Sequence, residues 1–330
     1  MKGLVRKIGF SLAPLFIVGA AAELGLRSAG WPRITEAFEH NEPYWVSDPD
    51  LKSKAFPHKE ERTSFQVSTN ADGLRVPLRS RIKSEGTTLR IMALGCSTTF
   101  GWGVDDQESY PAQLQTLLTD AGYEHVEVIN GGQPGYTSFQ GRWLWQESLK
   151  HYDPDVVLLG YVVQDARKAA YSDKSQALLQ QDHRYMKDNV LYSSRVYLAL
   201  RDLIGSVQVQ AKERPQGGKG GIYRVPPEDY VDNLRVLAGA VQQKGALPIL
   251  FGFPLEREGY TEVHRMILKA AAKELDILHL DPQDQMEIAS RGAPLYFRND
   301  RGHANAQGNA RIAAWVFDFL VEQGLLGAKK

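Results

Sequence analysis

Five short runs, each made almost wholly of apolar residues, most constrain what this chain can become: Leu89–Leu94, Val126–Ile129, Val156–Tyr161, Leu247–Phe253 and Ile277–Leu280. Each has the length of a strand. Amphipathic stretches suited to helices, Tyr110–Ala121, Tyr230–Lys244 and Glu262–Leu275, fall between several of them. A strand that is apolar on both sides must be covered on both sides, so alternation with helices implies a parallel sheet between two helical layers. The expected fold class is therefore α/β: a three-layer α/β/α sandwich with a mostly parallel five-stranded sheet, built from residues 89–330. In such sheets ligands bind at the carboxyl ends of the strands, which directs attention to the loops that follow them.

Those loops carry the reactive groups. After the first strand comes Gly95-Cys-Ser-Thr-Thr-Phe-Gly-Trp-Gly103, which places Ser97 at the strand's end. After the second comes Asn130-Gly-Gly-Gln-Pro-Gly-Tyr-Thr-Ser138, a loop rich in glycine that can present backbone N–H groups. After the third comes Gln164-Asp165, and near the carboxyl terminus Asp300-Arg-Gly-His303 precedes a last helix, Ala310 to Glu322. Taken singly, each has a bland explanation. A serine after a strand is usually a helix cap, Asp300 and His303 can be a surface pair, and Gly131, Gly132 and Gly135 can serve turn geometry alone. Brought together, they supply a serine, backbone donors, an amide and an Asp/His pair, which are the parts acyl transfer requires. Cys96 is expected as a small buried residue, Trp102, Trp143 and Trp145 as packing groups, and His279 with Asp281 as structural.

The same segments, in this order, resemble the SGNH (or GDSL) hydrolases. Ile91-Met-Ala-Leu-Gly-Cys-Ser-Thr-Thr-Phe-Gly is similar to the family's first block, and Val128-Ile-Asn-Gly-Gly-Gln-Pro-Gly-Tyr-Thr to its second. Gln164-Asp165 falls where the third block has Asn-Asp, and Asp300-Arg-Gly-His303 matches the Asp-x-x-His of the last. The resemblance implies a flavodoxin-like sheet, with Ser97 as nucleophile, His303 as general base and Asp300 as its orienting partner. It also implies an oxyanion hole formed by the backbone N–H groups of Ser97 and Gly135 and the side-chain amide of Gln164. Two positions depart from the family: Cys96 stands where it has Asp, and Gln164 where it has Asn. The implied activity is serine-dependent hydrolysis of an O-acyl ester, acetyl foremost, on a carbohydrate or lipid. The alternatives are O-acetyl transfer to a cell-surface polysaccharide and a catalytically degenerate binding or scaffold protein, the latter motivated by Cys96 and Gln164.

Other function classes lack support. Lys plus Arg and Asp plus Glu each number 39, so there is no excess of positive charge to neutralise nucleic-acid phosphates. No Gly-x-Gly-x-x-Gly follows the first strand, and no Gly-Lys-Ser/Thr phosphate loop is present. The eight histidines and single cysteine show no zinc-type spacing, so neither cofactor nor metal is expected. The sequence does not define an oligomeric state.

The amino-terminal end reads differently from the rest. Lys2, Arg6 and Lys7 precede an apolar run, Ile8 to Ala22, that extends to Leu26 and approaches the ~20 residues of a membrane-spanning helix. Residues 1–30 are therefore expected as a single-pass anchor in a bacterial inner membrane, with the remainder periplasmic, and Glu23 is placed to pair with Arg27. Small residues at Ala20 and Ala22 also fit a cleaved signal and a secreted product. Residues 31–88, with Pro32, Pro43, Pro49, Pro57 and Pro77, read as a loop-rich extension packed on the main domain. An insertion at about 168–221 interrupts the strand–helix rhythm. It serves either as a cap over the site or as a surface elaboration.

Overall fold

The sheet explains why its strands are so uniformly apolar. In the computed structural model, which describes residues 14, 17–31, 46–177, 193–200, 203–204, 221–257 and 259–327, five strands pair side by side. They are β3 (Leu89–Gly95), β4 (Val126–Gly132), β5 (Val156–Gly160), β6 (Leu247–Phe251) and β7 (Leu278–Leu280). Their order is β4-β3-β5-β6-β7, and every pairing is parallel. Successive side chains of a strand point to opposite faces. Ile91 and Ala93 enter one core with Leu114, Leu118, Ile312 and Val316, whereas Met92 and Leu94 enter the other with Leu144, Leu234 and Leu268. The first core is covered by α2 (Tyr110–Asp120), α6 (Gln283–Ser290), which contributes Met286, and α7 (Ala306–Glu322). The second is covered by α3 (Ser138–Glu147), α4 (Pro227–Gln243) and α5 (Glu262–Leu275). The expected three-layer sandwich forms, with its sheet wholly parallel.

The strand order reverses direction between β3 and β5, the crevice at which such sheets hold their ligands. The opposite end of the sheet is closed by the one charge in the first apolar run. Arg90 lies directly across from Glu127 on β4, donates to its Oε2 at 2.6 and 2.9 Å, and also donates to the Tyr152 carbonyl. The last helix begins at Ala306 rather than at Ala310, because the Asn305 side chain accepts from the Gly308 N–H at 3.0 Å and caps it.

The described part of the extension, residues 46–88, belongs to the same compact unit as the sheet, which comprises Tyr44–Ala169 and Tyr223–Lys330. It contains an antiparallel hairpin, β1 (Lys54–His58) with β2 (Thr63–Val67). The hairpin buries Phe65 and Val67 against Phe100.

Met1–Pro43 and Ala170–Ile222 form a second unit. Residues 17–28 are helical, and the expected Glu23–Arg27 pair closes at 2.8 Å. The Glu23 carboxylate also accepts from the backbone N–H groups of Arg195 and Val196, both at 2.9 Å, and from the Ser194 hydroxyl. Those donors lie at the start of a helix over 195–200 and hold the Glu23 carboxyl down at about 2. The amino-terminal membrane helix is not found: among the described residues no helix is long and apolar enough to cross a bilayer. Residues 1–13, 15 and 16, which hold Lys2, Arg6, Lys7 and the first half of the expected apolar run, lie outside the described residues, as does most of the insertion.

Candidate active site

The turn out of β3 leaves no room for side chains. A Cβ on Gly95 would lie 2.2 Å from Thr99 Oγ1, and one on Gly132 would lie 2.3 Å from the Phe100 backbone nitrogen. Glycine at both positions lets the four-residue helix α1 (Ser97–Phe100) nest between the ends of β3 and β4. Ser97 occupies the first position of α1, where its N–H has no intrahelical partner, and the residue is almost fully buried.

The loop before α7 brings the other members of the expected triad to it. His303 Nε2 lies 2.8 Å from Ser97 Oγ, and His303 Nδ1 lies 2.7 Å from Asp300 Oδ2. Burial raises the proton affinity of Asp300, but hydrogen bonds from His303 and His58 outweigh it and hold the carboxyl at about 2. The ionised carboxylate accepts the Nδ1–H of His303. The Nε2 lone pair is then turned toward the Ser97 hydroxyl, the tautomer that general-base catalysis needs.

Gly135 and Gln164 are joined through a residue with no sequence signature. Arg224 Nη1 donates to the Gly135 carbonyl at 2.8 Å and to Gln164 Oε1 at 3.1 Å. A guanidinium can only donate, so Arg224 fixes the amide's oxygen side and leaves the NH2 group as the donor. Gly135 adopts φ +80°, a left-handed backbone that glycine accommodates without strain. Asp165, next to Gln164, accepts from the Ser138 N–H at 2.9 Å and ties the loop after β5 to the first turn of α3.

Cys96 is buried, as expected, with its Sγ 3.2 Å from Thr98 Oγ1. Burial pushes its thiol up, so it stays neutral. The carbonyls beyond α1 are held instead from the extension. Fully buried Arg75 donates to the carbonyls of Phe100, Gly101 and Val104 at 2.9, 2.5 and 2.6 Å. Trp145 lies in the core and Trp102 stacks edge-on against Phe65, whereas Trp143 is partly exposed. Asp281 pairs with Arg265 at 2.6 Å.

The extension supplies a second group that sequence reasoning did not find. His58, at the end of β1 and fully buried, places Nε2 3.0 Å from Asp300 Oδ2 across 242 positions of sequence. It is an isolated histidine in a stretch rich in prolines and charges, so no local pattern marks it. His58, Glu60 and Asp300 are the one group of three candidate metal ligands among the described residues. The short His58–Asp300 contact is a hydrogen bond, and it engages two of the three. A cavity of about 370 Å³ adjoins the Asp300–His303 loop, lined mainly by Arg167, Glu256, Arg257, Tyr260 and Arg301.

Comparison with known proteins matches the elements just described. Residues 93–311 match the model of the GDSL-like lipase/acylhydrolase family. A multidomain esterase of Ruminococcus flavefaciens is 26% identical over 171 residues, which are 41% of this chain and 22% of that protein. The chain thus spans about a fifth of that relative's length. Among solved structures, an alpha/beta hydrolase enzyme from the metagenome of Lake Arreo, Spain, is 18% identical and covers 73% of this chain and 98% of its own, with a TM-score of 0.49. A catalytic mutant of an acetylxylan esterase from Geobacillus stearothermophilus is 18% identical, covers 74% of this chain and 97% of its own, and has a TM-score of 0.48. The family match spans the turn that holds Ser97, the glycine-rich loop, Gln164 and the Asp300–His303 pair, and the chain belongs to the GDSL-like lipase/acylhydrolase family.

Proposed function

We propose that this protein is a serine esterase that removes a small acyl group, acetyl foremost, from a carbohydrate hydroxyl. The observation that carries the proposal is the continuous hydrogen-bonded chain from Ser97 Oγ through His303 to Asp300. Ser97 attacks the ester carbonyl while His303 takes its proton, and Asp300 stabilises the imidazolium that forms. The backbone N–H groups of Ser97 and Gly135 and the amide of Gln164 receive the oxyanion. His303 then returns the proton to the departing alcohol, and water hydrolyses the acyl-enzyme by the same route in reverse.

The side chains of the adjoining cavity support a carbohydrate alcohol. Three arginines, a glutamate and a tyrosine stand in it beside Leu255 and offer hydrogen-bonding groups suited to hydroxyls. Burial of Cys96, and the Arg75 bonds that brace the nucleophile turn, weigh against the scaffold reading that the two family departures suggested. For location, the basic residues Lys2, Arg6 and Lys7 before an apolar run, with Ile17, Val18 and Leu24 exposed, support attachment at a membrane. Hydrolysis of acetylated oligosaccharides and of 4-nitrophenyl esters of increasing chain length tests the substrate class. Acetyl esters of sugars turned over faster than long-chain esters are the expected result, and the reverse order would reassign the substrate to lipid.

A further inference from the structure

We propose that His58 is a positioning residue of this catalytic site: it holds the Asp300 carboxylate in place through its Nε2–H and so completes a chain of four residues, His58–Asp300–His303–Ser97. The proposal rests on the Ser97 esterase reading above and adds a member contributed by the extension. Both imidazoles meet the same carboxylate oxygen: Asp300 Oδ2 lies 3.0 Å from His58 Nε2 and 2.7 Å from His303 Nδ1. The other oxygen, Oδ1, accepts from the Gly302 N–H at 3.3 Å. The carboxylate is thereby fixed from both of its oxygens, and its plane cannot swing away when His303 moves between hydroxyl and leaving group.

His58 itself has little freedom. It is fully buried, and its ring stands edge-on to Phe297 at 4.6 Å and to Phe65 at 6.3 Å between centroids. Gly103, at φ +92°, closes the remaining side: a Cβ there would lie 2.9 Å from His58 Cε1 and 2.8 Å from Phe297. The two ring nitrogens have different surroundings. Nδ1 is buried with no hydrogen-bond partner, and a proton placed there would be a buried donor without an acceptor. Nε2 faces Asp300, with Glu60 farther off at 3.9 Å. The arrangement therefore selects the neutral tautomer protonated at Nε2. A neutral donor orients Asp300 without cancelling its charge, and the carboxylate remains available to stabilise the His303 imidazolium.

The test compares wild type with His58→Phe, which keeps an aromatic ring in the slot but has no donor, and with His58→Gln, which restores an N–H. In wild type, 15N-histidine NMR should show His58 protonated at Nε2 and a sharp, downfield His303 Nδ1 proton. That proton should exchange-broaden in His58→Phe and return in His58→Gln. With 4-nitrophenyl acetate, kcat should fall about tenfold in His58→Phe, the scale of one hydrogen bond to a charged acceptor. KM should be unchanged, and His58→Gln should recover most of the loss. A His58 ring protonated at Nδ1 in wild type would overturn the proposal, as would a folded His58→Phe with wild-type kcat and a sharp His303 proton. A wild-type protein inert toward the acetate ester would instead count against the esterase reading. The NMR comparison would still decide the role of His58.

Discussion

Ser97 and His303 lie 206 positions apart in sequence and 2.8 Å apart in the fold. Their partnership was legible because each stands in a loop at the end of a parallel strand or just before the last helix. The order of motifs along the chain thus encoded their meeting place. Arg224 and His58 were not legible. Each acts through a long-range contact, and neither sits in a spacing that chemistry demands. Gln164 falls between these cases, since its position was readable but the Arg224 contact that orients its amide was not. Gln164→Ala should lower kcat about 100-fold, the usual effect of losing one oxyanion donor, with little change in KM. Steady-state kinetics on an acetyl ester checks this, and an unaltered kcat would remove Gln164 from the oxyanion hole.

At the scale of elements, the five apolar runs gave the strands, and the helices followed from their amphipathic spacing. The glycine-rich loop after β4 was readable as a turn and as a source of backbone N–H groups, but the part played by Gly132 was not. In the fold, Gly132 is where β4 admits the backbone of α1, a close approach that no local pattern announces. The extension was the least legible segment, because its order comes from contacts with the catalytic unit rather than from its own periodicity. Arg75 is the main link: it donates to the carbonyls of Phe100, Gly101 and Val104 and pairs with Asp106 at 3.3 Å. Arg75→Met leaves those carbonyls and Asp106 without their donor and should cost about 3 kcal/mol, read by urea denaturation. A loss below about 0.5 kcal/mol, the usual range for an inconsequential surface change, would show that the turn is braced by other means.

For the whole molecule, stability should decline as the solution becomes acidic, in two stages. Burial holds His264 and His279 below the ordinary histidine value of 6.5, so the folded state binds fewer protons there and loses stability as pH falls below about 6.5. Asp300, held at about 2 against an ordinary 3.8, and Asp72, lowered by Arg81, act the same way further down. Their contribution is present above the unfolded value and lost as pH falls toward 2. Asp281, raised by burial, opposes this trend but is outnumbered. Melting temperature should therefore drop monotonically from pH 7 to pH 3, and a flat or rising profile would contradict the balance.

The most direct test of the central claim is covalent labelling of the protein with a fluorophosphonate, read by intact mass and by the modified peptide. One phosphonyl group on Ser97, absent in Ser97→Ala and strongly slowed in His303→Ala, is the predicted result. An unlabelled Ser97 in the folded protein, or equal labelling of Ser97 with and without His303, would contradict an activated serine nucleophile.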